Sequence, residues 1–102
     1  MGEEIVIAGW IDWEPAHRDE ALVHLREAGR HSRMEPGCLD YAMTADPDDE
    51  RRIRVYERWA SAEALEEHLA TPHIKAFREA AAGLVRHGRS LHRLVIQSSA
   101  LM

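Results

Sequence analysis

The pattern of apolar and polar positions is clearest between Arg52 and Ala60. Ile53, Val55, Glu57 and Trp59 fall on one face of an extended chain, with Arg54, Tyr56 and Arg58 on the other. That period of two marks a strand. Glu4 to Ile11 reads as an earlier strand, setting Ile5, Ile7, Gly9 and Ile11 against Val6, Ala8 and Trp10. Both of its faces are apolar, so it is expected to be central and covered on both sides. Gly9 within it signals a bulge or a close approach of another backbone. Cys38 to Thr44 alternates too, with Leu39, Tyr41 and Met43 opposite Cys38, Asp40 and Ala42. Ser90 to Gln97 supplies a fourth strand, His92, Leu94 and Ile96 facing away from Leu91, Arg93 and Val95.

Between the strands the period lengthens. Asp12 to Pro15 is a turn, and Pro15 suits a first helical position, where its missing N–H costs nothing. Arg18 to His31 then carries Ala21, Leu22, Leu25 and Ala28 as one narrow apolar stripe. Gly29 is expected to fray the end of that helix, and Met34 to tuck back towards the core; His24 and His31 read as surface residues. Ser61 is a natural N-cap for a second helix, with Glu63 in its first turn. Its stripe is Ala64, Leu65, His68 and Leu69. Thr71-Pro72 is another cap signature, which kinks the helix and starts a piece presenting His73, Ile74, Phe77, Ala81 and Leu84 inward. Arg86 to Arg89, with Gly88, ends it. Glu35-Pro36-Gly37 is a turn, Ala45 to Arg51 a polar hairpin loop, and Ser98 to Met102 a short tail.

The order βαββαβ predicts an α+β, ferredoxin-like plait in one domain spanning residues 1–102. A four-stranded antiparallel sheet carries both helices on one face. The other face, with Val6, Tyr56 and Arg58, is left uncovered, so a homodimer through the sheet faces is expected.

Composition narrows the function classes. Hydrophobic residues make up 45% and charged residues 30% of the 102, as in a globular protein. The net charge of −5, with no basic block, disfavours nucleic acid. No apolar run reaches the roughly 18 residues that a membrane span needs. The N-terminal residues lack the basic region of a signal peptide. Gly2 is followed at residue 6 by Val6, not by the Ser or Thr of a myristoylation signal. The single cysteine, Cys38, allows no intrachain disulfide and fits a reducing, cytoplasmic setting. The acidic loop lacks the oxygen ladder of a calcium site. No nucleophile triad, phosphate-cradling glycine loop or CxxC pair is present.

Glu35-Pro36-Gly37-Cys38-Leu39-Asp40-Tyr41, then Tyr56-Glu57-Arg58-Trp59, then Ser61-Ala62-Glu63-Ala64-Leu65, and finally His68 with Thr71-Pro72-His73 through Phe77, closely resemble the antibiotic biosynthesis monooxygenase family. The resemblance runs from the first strand to the second helix. It implies a dimeric α+β barrel with a pocket between sheet and helices in each subunit. It also implies a monooxygenase that acts on a quinol-like or polyphenolic molecule with molecular oxygen, and with no metal or flavin cofactor. A non-catalytic dimer that binds a small hydrophobic or aromatic molecule is the alternative. Haem-degrading relatives use an Asn on the first strand, a Trp in the second helical region and a ligating His beyond it. Here that strand has no Asn, the Trp position falls at His68 and the ligand position near Arg78, which speaks against haem chemistry.

The oxygenation needs a base for a phenolic proton, and then a pocket to hold the anion. His68, on an inward helical stripe, and His73, just past the Thr71-Pro72 cap, are the candidate bases. Each has a plainer reading: His68 as a buried ring bonded to backbone or Glu57, His73 as a group satisfying the kink. The five-residue separation of the two across a break, with no third ligand following, argues against a zinc motif of the HExxH kind. Glu57 is the odd residue on an apolar strand face and requires a partner, either a histidine to orient or a strand–helix bridge. Trp59, Tyr41, Trp10 and the inward-facing Phe77 are candidate pocket walls, although residues like Trp59 and Tyr41 are more often core, and one like Trp10 more often core or interface. Arg78 would hold an anionic oxygen or lie at the surface.

Overall fold

The computed structural model describes residues 3–102, so Gly2 lies outside the described residues. Its elements are β1 (Glu4–Trp13), α1 (Pro15–Ser32), β2 (Cys38–Ala45), β3 (Arg52–Trp59), α2 (Ala62–Leu69), α3 (Pro72–Ala80) and β4 (Arg86–Ile96). The sheet order is β2-β3-β1-β4, with every neighbouring pair antiparallel. This is the ferredoxin-like plait, with the second helix divided in two. β1 is central, as its two apolar faces require. Gly9 is a point of close approach: its φ is +145°, and a Cβ there would stand 1.8 Å from the Ser90 carbonyl oxygen.

The core lies between the sheet and the helices. Ile53, Val55 and Trp59 of β3 pack with Ile5, Tyr41 and Met43 against Ala21, Leu22 and Leu25 of α1 and Leu65 of α2. α1 begins with Pro15 in its first turn. Gly29 does not fray its end. It lies inside the helix, where a side chain would press within 3.3 Å of the Tyr41 ring. Met34 does not tuck inward and is 82% exposed.

Two strand details depart from simple alternation. β2 pairs Cys38 with Trp59 and Asp40 with Arg58, so Leu39 is an extra, bulged residue. The bulge turns Cys38 towards the core and leaves Leu39 in solvent, the reverse of the expected faces. β4 begins at Arg86, not Ser90, and Gly88 lies within it. Its start is pinned to the β1–α1 corner: Glu14 N donates to Val85 O at 2.8 Å, and Val85 N donates to His17 Nδ1 at 2.9 Å. α3 accordingly stops at Ala80, although Ala81 and Leu84 still pack on the core.

The far face of the sheet carries no helix. Arg58 pairs with Glu4, and Arg52 with Asp12 at 2.8 Å, which holds the Asp12 carboxyl below its ordinary range. Val6 is buried among its neighbours there, while Tyr56 and Leu94 open to solvent. No helix among the described residues is long and apolar enough to cross a membrane.

Candidate functional site

The Ser61 side chain accepts the Ala64 N–H at 3.1 Å and starts α2 where the pattern placed it. The helical period then sets Leu65 and His68 on the buried side. Leu69, expected on the same stripe, is 42% exposed. The His68 ring lies against Trp59, with centroids 4.4 Å apart, and Tyr41 meets it edge-on at 5.6 Å.

Thr71 joins the two helical pieces. Its hydroxyl donates to the His68 carbonyl at 2.7 Å and accepts from Ile74 N at 3.4 Å. Capping α3 while gripping the end of α2 fixes His68 and His73 relative to one another.

The group that joins the two histidines is Glu35. It stands in the turn between α1 and β2, where Glu35 N donates to Ser32 O and Cys38 N donates to Glu35 O. Gly37 of the same turn is pressed onto α2 so closely that a Cβ would lie 2.3 Å from the Ala64 Cβ. Glu35 Oε2 accepts from His68 Nδ1 and from His73 Nε2, each at 2.8 Å. A carboxylate only accepts, so each ring donates from that nitrogen and its other nitrogen is the unprotonated one in the neutral form. These three groups place donor atoms within 4.8 Å of one another, a set suited to a metal ion.

Glu57 occupies a second position beside His68. Its Oε1 accepts the Trp59 indole N–H at 3.0 Å and stands 3.9 Å from His68 Nε2, too far for a hydrogen bond. The direct partner of His68 is therefore Glu35, not Glu57. Burial pushes the Glu57 carboxyl up, opposed by the Trp59 hydrogen bond and the His68 charge. Burial likewise pushes the Tyr41 phenol and the Cys38 thiol up.

His73 faces a cleft of about 490 Å³ between α1 and α3. Ala28, Pro72, Ala76, Phe77 and Ala80 give it apolar walls; His24, Glu27 and His31 form its polar side. His31 stacks on His73 with centroids 5.5 Å apart. This cleft lies between the helices, whereas the expected pocket lay between sheet and helices, a space that Tyr41 and Trp59 fill as core.

The structure thus brings together His68, His73 and Glu57, with Phe77 in the cleft wall. Tyr41 and Trp59 support His68 from below. Trp10 lies on the far face of the sheet, under the guanidinium of Arg52 at 4.3 Å. Arg78 lines a separate hollow of about 290 Å³ beyond Phe77, with Trp13 and Arg86. The Trp13 indole N–H is buried without a hydrogen-bond partner among the described residues.

Glu35 and the α1 side of the cleft were missed in the sequence. Glu35 read as part of a turn, and nothing local tied it to histidines more than thirty residues away. His24, Glu27 and His31 do recur at helical spacing beside the apolar stripe that ends in Ala28, and that pattern was the available signal.

Residues 5–80 match the profile of the family described as antibiotic biosynthesis monooxygenase. An uncharacterised protein of Synechocystis sp. is 31% identical over 77 residues, which are 76% of this chain and 52% of that protein. The chain spans about half the length of that curated relative. Among solved structures, a Pseudomonas aeruginosa protein superposes with a TM-score of 0.84 at 26% identity, covering 96% of this chain and 98% of its own. A Bacteroides thetaiotaomicron protein named for the same family gives 0.85 at 25% identity, covering 98% of this chain and 95% of its own.

Proposed function

The chain belongs to the antibiotic biosynthesis monooxygenase family, and from that membership and its histidine-lined cleft we propose that it oxygenates a quinol-like or polyphenolic small molecule with molecular oxygen. The observation that carries the reading is His73. Its ring lines an apolar-walled cleft, and its Nε2 is anchored by the carboxylate that also holds buried His68. A base needs both access to substrate and a fixed orientation, and this position combines them.

The unprotonated His73 nitrogen takes the phenolic or enolic proton of the substrate. The resulting anion passes one electron to oxygen, giving a substrate radical and superoxide. Their recombination forms a carbon–oxygen bond, and protonation gives a hydroperoxide. Loss of water, with the hydrogen leaving the same carbon, produces a carbonyl. One oxygen atom stays in the product and the other departs as water. Glu35 stabilises the protonated ring that forms in the first step, and His68 holds Glu35 in place from the buried side. Phe77 and the alanines keep the cleft apolar around the radical pair.

The test is oxygen uptake with a panel of quinols and anthrones. Turnover by the wild type, and a fall of at least about 100-fold in kcat for His73→Ala, are expected. His68→Ala is expected to fall less, because it acts through Glu35. Uptake unchanged in H73A removes the base. Saturable binding of these molecules without any uptake replaces the reaction with a binding-only role.

A further inference from the structure

We propose that Glu35, His68 and His73 form a three-ligand site for a first-row divalent metal ion of the zinc or cobalt type, with its open position towards the α1–α3 cleft. The inference does not rest on the oxygenation reading. It stands on three donor atoms, one from each of three separately anchored segments. Glu35 Oε2 already lies 2.8 Å from His68 Nδ1 and from His73 Nε2, and all three atoms fall within 4.8 Å of one another. Tetrahedral zinc with bonds of about 2.0–2.2 Å holds its ligand atoms about 3.3 Å apart. Reaching that spacing parts the carboxylate oxygen from each ring nitrogen by about 0.5 Å and draws together the two histidine nitrogens, which lie within 4.8 Å of one another, with the ion taking the place of the two shared protons.

The donor set selects the ion. Two imidazoles and one carboxylate suit zinc, iron, cobalt, nickel or copper, whereas calcium and magnesium prefer oxygen ligands throughout. Three protein ligands leave a fourth position for water or a small ligand. His73 also lines the cleft, so that position is reached from its side.

The surroundings fit the same assignment. Metal at His68 Nδ1 moves the ring proton to Nε2, and Nε2 faces Glu57 Oε1 at 3.9 Å. A carboxylate behind a ligating imidazole is the usual outer support of such a site. The His68 ring is already fixed by Trp59 and Tyr41, and Thr71 fixes the helix ends that carry both histidines. The segments are therefore largely set before an ion arrives, which lowers the ordering cost of binding. Metal occupies the nitrogens through which Glu35 orients His73, so a loaded chain cannot use that ring as a free base.

Zn(II) and Co(II) titrations of chelator-treated full chain test the site directly, with no organic substrate present. One equivalent of Zn(II) per chain is expected, with a raised melting temperature and, for Co(II), the intense visible bands of a four-coordinate ion. His73→Gln and Glu35→Gln should each weaken binding more than about 100-fold, beyond what loss of an outer support costs. His87→Ala, which removes the distant exposed His87–Glu14 pair, should leave binding intact. Less than one equivalent bound by the wild type, or affinity unchanged in both folded ligand variants, overturns the site. Loss of binding in His87→Ala alone moves it elsewhere and equally overturns the proposal. Because the readout is metal binding, failure of the oxygen-uptake test does not affect it.

Discussion

Glu57 has only 9% of its surface exposed, on the inner face of β3, with the Trp59 indole N–H donated to its Oε1. Burial raises its carboxyl above the ordinary 4.5. An acid raised on folding is held in its protonated form by the fold. Folding is therefore not penalised below the unfolded pKa, and the penalty grows as pH rises through the folded one. Glu57→Gln keeps an oxygen for Trp59 and removes the charge. Its melting temperature should exceed the wild type's by a few degrees near pH 7, and the gap should close as pH falls towards 4. A constant gap across that range, or a loss at pH 7, would show that ionised Glu57 is well paired. The sequence made Glu57 visible because one acid interrupted an apolar face. It made His68 visible because a histidine stood on an apolar stripe. Glu35 stayed hidden, since a carboxylate in a polar turn looks like any other until the fold brings it to its partners.

The elements themselves were largely legible: their periods and caps placed every strand and both parts of the second helix. The misplacements share a cause, which is tertiary contact acting across segments. Leu39 lost its inward place to a bulge, and β4 gained four residues because Val85 is bonded at both ends to the β1–α1 corner. The Glu35 turn is the same kind of feature, held by contact between Gly37 and Ala64. Gly37→Ala should cost about 1–3 kcal/mol through overpacking. Ala64→Gly should cost about 1 kcal/mol alone from helix propensity. Combined, the pair should be less destabilised than the sum by more than about 1 kcal/mol, measured by urea unfolding. Simple additivity would mean that the turn yields without touching α2.

At the scale of the molecule, the helices cover one face of the sheet and leave the other to Val6, Ala8, Trp10, Tyr56 and Leu94, edged by the Glu4–Arg58 and Asp12–Arg52 pairs. Apolar side chains ringed by charge suit a second copy of the same surface. Sedimentation should give twice the chain's mass, and Tyr56→Glu with Leu94→Glu should halve it while the far-UV spectrum is retained. A monomeric wild type, or a dimer indifferent to both substitutions, would assign the face to solvent.

Gly9 is a notch cut into the middle strand, and the backbone of the last strand passes through it at Ser90. At its φ of +145° a Cβ would point along the sheet into that carbonyl, whereas the side chains of Ala8 and Trp10 stand off the face of the sheet. The missing side chain is therefore a clearance. Any other residue at this one position would wedge the final strand away from the middle of the sheet.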